Sequence, residues 1–142
     1  MGKVLVVDSS GLLAALDAGE PDRARVMRLL ETDERPLVTT DFVLAEVDYL
    51  ILTRLGSRAE RAFIAQVLEG IFVREMVTHE DIRHAEQIMI RYQEHKLGLT
   101  DATLMALCER LQAHDVLTLD HRHFSLFRNS HGRSLQLLPE KT

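Results

Sequence analysis

The sequence predicts an α/β fold in which a mostly parallel central sheet carries helices on both faces. Strand-like and helix-like segments alternate along the chain, which is the order typical of a parallel sheet. The strand predicted at residues 3–7 is apolar without alternation after Lys3, as expected of a strand that is covered on both faces. A second apolar run, residues 116–119, resembles the first because it also ends at an aspartate. The 142 residues are expected to form a single domain, residues 1–142, since domains of this size are common.

The first half of the chain is interpreted as two strands and four helices. In order they are strand 3–7, helix 11–16, a helix from Pro21, strand 37–39, helix 42–53 and a helix from Ser57 to Gly70. Ser10 is the expected N-cap of the first helix, and Thr40 or Asp41 that of the third. Ser57 is expected to cap the fourth helix. Pro21 suits the start of the second, because its fixed φ is already helical.

The second half is interpreted as three strands and three helices. In order they are strand 71–77, a helix opened by Thr78, a helix opened by Asp101, strand 116–119, a short helix after Asp120 and edge strand 135–139. Thr100 is the expected N-cap of the helix that begins at Asp101. The helix opened by Thr78 is expected to bury Ile82 together with later apolar residues at the same spacing.

Glu46 is an unusual charge in the helix 42–53. Phe42, Val43, Val47 and Leu50 share a face with it by the three-and-four spacing. The sequence therefore predicts that Glu46 faces inward, and a buried carboxylate is rare unless it is paired or bound to a metal. A buried ion pair with an arginine is the alternative explanation.

Asp101 opens a helix that is apolar almost all round, so the helix is expected to be largely buried. An aspartate in a first turn is ordinary, because it complements the helix dipole. Its attachment to so buried a helix argues against a solvent-facing position. Cys108 lies in the apolar part of this helix and is expected to be a buried, reduced thiol, which fits a cytoplasmic protein.

Bulk composition limits the possible locations and partners without choosing a function. The net charge of −5 and the pI of about 5.8 do not indicate a nucleic-acid binder with a basic stripe. Acidic residues gathered in one pocket would be neutralised by a divalent metal, so net charge alone does not exclude such a partner. No apolar run approaches the roughly 20 residues that span a membrane, and the apolar start is too short for a signal peptide.

Four carboxylates are expected to converge at one edge of the sheet. Asp8 and Asp120 end parallel strands, Asp101 begins a helix at the same edge, and Glu46 faces inward. Carboxylates this close would repel each other and would need a cation, and oxygen ligands select Mg²⁺ or Mn²⁺ over zinc. Such a pocket suits phosphodiester cleavage. For Asp8 the alternative is a simple helix cap.

The residues that follow Asp120 are candidates for contacts with substrate. Arg122, His121 and His123 are expected either to contact phosphate or to form a solvated turn.

Four short motifs resemble those of the PIN-domain ribonucleases, and within them the VapC-type toxins of toxin–antitoxin pairs. They are VVDSSGLL at 6–13, LAEVDYL at 44–50, GLTDA at 98–102 and LTLDHRHF at 117–124. Each motif is weak alone, but together they keep the family's order and spacing over nearly the whole chain. The opening Asp-Ser-Ser stands where many relatives have Asp-Thr-Ser or Asp-Thr-Asn, a change that leaves the carboxylate intact.

The resemblance implies a three-layer PIN-like fold and Mg²⁺-dependent endoribonuclease activity. The expected metal ligands and catalytic residues are Asp8, Glu46, Asp101 and Asp120, and the hydroxyls of Ser10 and Thr118 are expected to support them. The resemblance also implies a homodimer, inhibition by a small antitoxin, and a structured cellular RNA such as tRNA or a ribosomal RNA loop as substrate.

Other classes fit the sequence less well. A response-receiver domain would have an acidic pair after the first strand, whereas Ser9 follows Asp8. A haloacid-dehalogenase-like phosphatase would have an aspartate where Ser10 stands. The remaining alternative is a catalytically silent PIN-like module that binds RNA or a protein partner.

Overall fold

The computed structural model describes residues 2–140, in which a five-stranded sheet lies between helices on its two faces. The central strand, β1 Leu5–Val7, pairs with β2 Leu37–Thr40 on one side and β4 Asp115–Leu117 on the other. β3 Val73–Glu75 and β5 Gln136–Leu138 form the two edges. All pairings between these strands are parallel, so the predicted fold class is confirmed.

Seven α-helices cover the sheet within the described residues. They are α1 Ser9–Leu16, α2 Arg23–Thr32, α3 Asp41–Leu55, α4 Ser57–Leu68, α5 His79–Arg91, α6 Leu99–Arg110 and α7 His121–Phe124. α1 packs against α2 and α3, α3 packs against α4, and α5 packs against α6. Between residues 2 and 140, no helix combines the length and the apolar composition that crossing a membrane requires.

The core is built around β1 and α6. Every residue of β1 is buried, as expected for a parallel strand with both faces covered. The α6 residues from Ala102 to Cys108 are also buried, which confirms the prediction made from their composition. Burial raises the pKa of the Cys108 thiol to about 12, so this side chain is a neutral part of the core.

Several predicted helix starts are wrong by one or two residues. Asp8, not Ser10, is the N-cap of α1, because the helix follows β1 without an intervening turn. Gly98, not Thr100, is the N-cap of α6, which places Asp101 in the first turn rather than at the first position. Gly56 precedes α4, so Ser57 is already helical.

Other predicted caps are confirmed, whereas some predicted spans are too long. The Thr40 hydroxyl accepts the Val43 N–H and so caps α3. β3 covers only part of the predicted 71–77, and β4 ends before 119 because the Leu119 N–H donates to a Ser10 side chain instead of a strand carbonyl. Ile82, which was expected to be buried, is 42% exposed.

Gly11 allows α1 to lie close to β4. A Cβ atom at this position would come within 2.7 Å of the Leu117 carbonyl oxygen, which is closer than Cβ atoms approach other atoms in folded proteins. A larger residue would therefore push α1 away from the strand. The close approach brings the first turn of α1 beside residues 118 and 119, which follow β4.

Candidate metal centre

Asp8 lies at the carboxyl end of the central strand and is almost fully buried, with 2% of its surface exposed. Its backbone N–H donates to the Leu117 carbonyl oxygen at 3.0 Å, which extends the pairing of β1 with β4 by one step. Its side chain accepts the Ser10 N–H as the N-cap of α1. Asp8 is therefore a helix cap, as one interpretation of the sequence proposed, and it also lies at the edge where the other carboxylates were expected.

Two hydroxyl groups orient the Asp8 carboxylate. Ser10 Oγ and Thr118 Oγ1 each donate to Asp8 Oδ2 at 2.7 Å. Both hydroxyl oxygens also accept a backbone N–H, from Leu119 and Asp120 respectively, each at 2.9 Å. Because those N–H groups approach the hydroxyl oxygens, the hydroxyl protons are free to point at Asp8. The network joins the ends of β1 and β4 through side chains.

Burial and these hydrogen bonds act on Asp8 in opposite directions. Burial raises the pKa of the Asp8 carboxyl above its usual range, because a charge is poorly solvated there. The hydrogen bonds from Ser10 and Thr118 oppose that rise, since they favour the ionised form. A cation bound beside Asp8 would act in the same direction as the hydroxyls.

Asp101 and Asp120 meet at the side chain of His123. The Nδ1 atom of His123 lies 3.4 Å from Asp101 Oδ2 and 3.2 Å from Asp120 Oδ2. One potential ligand atom from each of the three residues falls within 4.8 Å of the other two. Asp120 also caps α7, because its Oδ1 accepts the His123 N–H at 3.1 Å. This cap leaves Oδ2 on the side of Asp101.

The electrostatics of Asp101 indicate a concentration of negative charge. Its pKa is raised to about 6, first by burial and then by the charge of Asp8, with smaller contributions from Asp120 and Glu46. The hydrogen bond with His123 acts against this rise. Four carboxylates thus influence one another at this edge, which is an arrangement that a divalent cation stabilises.

Glu46 differs from the prediction in its burial. The residue is exposed on α3, and the buried residues of that helix are Val43, Leu44, Val47 and Ile51. Glu46 lies on the flank of this stripe rather than within it, so its carboxylate reaches solvent. Its charge nevertheless acts on Asp101, although Glu46 and Asp8 are outside the compact group formed by Asp101, Asp120 and His123.

The residues after Asp120 have different environments. Arg122 is exposed at the start of α7, whereas His121 is half-buried. His123 was expected only as a possible phosphate contact, and the structure instead brings it between two of the predicted ligands. The signal for this position is the spacing of three residues between Asp120 and His123, which puts both on one side of a helical turn.

The donor set fits a divalent cation. Carboxylate oxygens of Asp101 and Asp120 lie close together beside an imidazole nitrogen, and the ionised form of each carboxylate gains from a nearby positive charge. Within residues 2–140, no other group of three acidic, histidine or cysteine side chains approaches as closely.

Comparisons with known proteins identify the family of the chain. The model of the PIN domain family matches residues 5–128. Ribonuclease VapC26 of Mycobacterium tuberculosis is 36% identical over 135 residues, which cover 95% of this chain and 100% of that protein.

Solved structures show the same architecture. The crystal structure of Mycobacterium tuberculosis VapC20, described as a toxin that cleaves the sarcin–ricin loop, has a TM-score of 0.77 at 26% identity. The alignment covers 83% of this chain and 91% of that chain. Rickettsia felis VapBC2, solved with a fragment of promoter DNA, has a TM-score of 0.67 at 12% identity over 94% and 96% of the two chains, a likeness of fold alone. The chain belongs to the PIN-domain family, as one of its VapC-type members.

Proposed function

We propose that the protein is a Mg²⁺-dependent endoribonuclease and the toxin component of a toxin–antitoxin pair. The observation that carries the proposal is the approach of Asp101 and Asp120 at the sheet edge where Asp8 is held by two hydroxyls. The similarity to a curated ribonuclease over nearly the full length of both chains supports the same activity.

The proposed metal ligands are Asp8, Glu46, Asp101 and Asp120. Asp101 supports this role because its pKa is raised by burial and, in addition, by the charges of the other three carboxylates. Exposure of Glu46 suits a ligand that acts through a bound water or moves inward when the ion binds. We assign Ser10 and Thr118 to orienting Asp8, because both donate to the same carboxylate oxygen.

Each part of the site has a distinct task in phosphodiester hydrolysis. A bound Mg²⁺ or Mn²⁺ ion supplies Lewis-acid stabilisation of phosphoryl oxygens and lowers the pKa of a bound water. Asp8 is kept from rotating by its hydroxyl partners, so its charge remains fixed during substrate binding. Arg122, exposed beside Asp120, and His121 are proposed to contact the RNA phosphates.

The substrate is proposed to be a structured cellular RNA, either a ribosomal RNA loop or a tRNA, which places the activity in the cytoplasm. The described activity of VapC20 on the sarcin–ricin loop supports the first of these. Because the net charge is −5, we expect affinity for RNA to depend on the bound metal and on local cations such as Arg122.

A small antitoxin and a second copy of the chain are the proposed protein partners. The helices α3 and α4 carry exposed apolar side chains that are suited to such contacts. The most exposed are Leu68 at 80% and Tyr49 at 65%.

The test is incubation of the purified protein with total RNA, in Mg²⁺ and in EDTA, with primer extension to locate cuts. We expect discrete cuts in Mg²⁺ that disappear with EDTA and in Asp8→Asn. Asp17→Asn is the matched control, because Asp17 lies at the other end of α1. Asn retains a side-chain oxygen that can cap α1, so a circular dichroism melt should show the variant to be folded.

Two outcomes would contradict the proposal. Cleavage by Asp8→Asn at the rate of the unmodified protein would show that Asp8 is not a catalytic residue. The absence of both RNA cleavage and Mg²⁺ binding by calorimetry would instead favour a silent module that binds RNA or protein.

A further inference from the structure

His123 is more buried and makes more contacts with the proposed ligands than we would expect of a residue that only contacts substrate. Its side chain is 18% exposed, and its backbone N–H is held by the Asp120 carboxylate at 3.1 Å. The hydrogen bond fixes the backbone of His123 relative to Asp120, and burial restricts the space open to the ring. The Nδ1 atom thus points at the two carboxylate oxygens because of the fold of α7.

The distances around Nδ1 match those between neighbouring ligands of one ion. Ligand bonds of about 2.1 Å at right angles place neighbouring ligand atoms about 3 Å apart. The Nδ1 atom lies 3.2 Å from Asp120 Oδ2 and 3.4 Å from Asp101 Oδ2, and the three ligand atoms are mutually within 4.8 Å. A single ion can therefore contact Nδ1 and either carboxylate oxygen after shifts of a few tenths of an ångström, and binding all three requires the two carboxylates to be no more than 4.8 Å apart, as they are.

The other ring nitrogen leaves Nδ1 free to act as a ligand. Nε2 of His123 is buried and has no hydrogen-bond partner among the described residues. No protein acceptor or donor at Nε2 therefore determines which ring nitrogen carries the proton. Moving the proton to Nε2 exposes the Nδ1 lone pair but gives up the hydrogen bond with Asp101 and leaves a buried N–H without an acceptor, a cost that the bond to the metal must outweigh.

We propose that His123 Nδ1 ligates the metal together with Asp101 and Asp120, and that this nitrogen makes the centre bind Mn²⁺ more tightly than Mg²⁺. The inference rests on the proposed function and names the cofactor preference of the same site. Mg²⁺ prefers oxygen ligands and retains its waters, whereas Mn²⁺ accepts imidazole nitrogen as well as carboxylate. Loss of the imidazole should therefore weaken Mn²⁺ binding more than Mg²⁺ binding.

The direct test is spectroscopic and requires no RNA. Pulsed electron paramagnetic resonance of the Mn²⁺-loaded, unmodified protein should show the modulation of a directly bound ¹⁴N nucleus. That modulation should disappear in His123→Gln and persist in His84→Gln. His84 is a suitable control because it is also a partly exposed histidine beside a carboxylate, with Nε2 3.8 Å from Glu109 Oε2, but lies outside the site.

Calorimetry with each ion measures the predicted selectivity. His123→Gln should weaken Mn²⁺ binding by about tenfold or more, because a direct nitrogen ligand is lost. Binding of Mg²⁺ should weaken by less than about threefold, because an all-oxygen set remains. His84→Gln should leave both affinities unchanged.

The outcomes separate this inference from the proposed nuclease function. RNA cleavage without nitrogen coupling to Mn²⁺ would overturn the role of His123 and leave the nuclease intact. Nitrogen coupling that depends on His123, in a protein that cuts no RNA, would support the metal site and contradict the nuclease. Equal losses of Mn²⁺ and Mg²⁺ affinity in folded His123→Gln would overturn the proposed selectivity, and a protein that binds neither ion would overturn the inference entirely.

Discussion

Replacing Asp101 by Asn should stabilise the protein when no metal is present. The pKa of Asp101 rises from 3.8 to about 6 because of burial and the neighbouring carboxylates. A shift of about two units corresponds to about 3 kcal/mol that the folded state loses when this group ionises. The hydrogen bond with His123 lowers this pKa and is already included in its value, so it needs no separate correction. The gain for Asp101→Asn should therefore be about 3 kcal/mol above pH 7.

The stability difference between Asp101→Asn and the unmodified protein depends on pH. The folded-state pKa is higher than the unfolded one, so protonation of Asp101 is favoured by folding. The wild-type protein therefore loses stability as pH rises from about 4 to about 6, and the loss is complete above that range. The advantage of Asp101→Asn should be full at pH 7.5 and nearly absent at pH 4.

Thermal melts in EDTA at the two pH values measure this effect. At pH 7.5, a gain of about 3 kcal/mol should raise Tm by about 9 °C for a domain of this size. Saturating Mg²⁺ should reduce or reverse the difference, because ligand binding stabilises the unmodified protein more. Asp17→Asn is the control. A lower Tm for Asp101→Asn in EDTA, by the same amount at both pH values, would refute the account of carboxylate repulsion.

Three further predictions test other parts of the structure. Gly11→Ala should lower the free energy of unfolding by about 1–3 kcal/mol, because its Cβ would clash with the Leu117 carbonyl oxygen. Urea denaturation measures this change, and an unchanged midpoint of the unfolding transition would contradict the close packing. Thr118→Val should weaken Mg²⁺ binding by about tenfold in calorimetry, because Asp8 loses a hydroxyl donor, whereas Thr118→Ser should retain the affinity. Glu46→Gln should change the free energy of unfolding by no more than about 0.5 kcal/mol in metal-free buffer, because the side chain is exposed. A large fall in Tm for this last variant would indicate a structural ion pair.

The sequence predicted which edge of the sheet carries the site, because the patterns that identify that edge lie within a few consecutive residues. An apolar run that ends at Asp8 identifies a buried strand and its carboxyl end within a few residues. The repetition of this pattern before Asp120 then indicates that the two residues share an edge. The neighbouring parallel strands β1 and β4 confirm that reasoning.

Other features could not be predicted because they depend on contacts between distant residues. The three-and-four spacing identifies the buried face of a helix but not the width of that face. Glu46 was therefore expected to be buried, whereas it lies at the exposed edge of the buried face. The contact of His123 with Asp101 joins two helices, and no pattern near either residue indicates it. Nothing around Gly11 indicates that the partner of its helix is the carbonyl of Leu117.

The hydrogen bond between Thr118 and Asp8 joins positions 110 residues apart, which has a consequence for synthesis of the chain. During translation, Asp8 leaves the ribosome long before Thr118, Asp120 and β4 exist. The carboxylates cannot gather until the last fifth of the chain has been made and closed against β1. Prematurely terminated chains that stop before Thr118 should therefore lack the assembled carboxylate site.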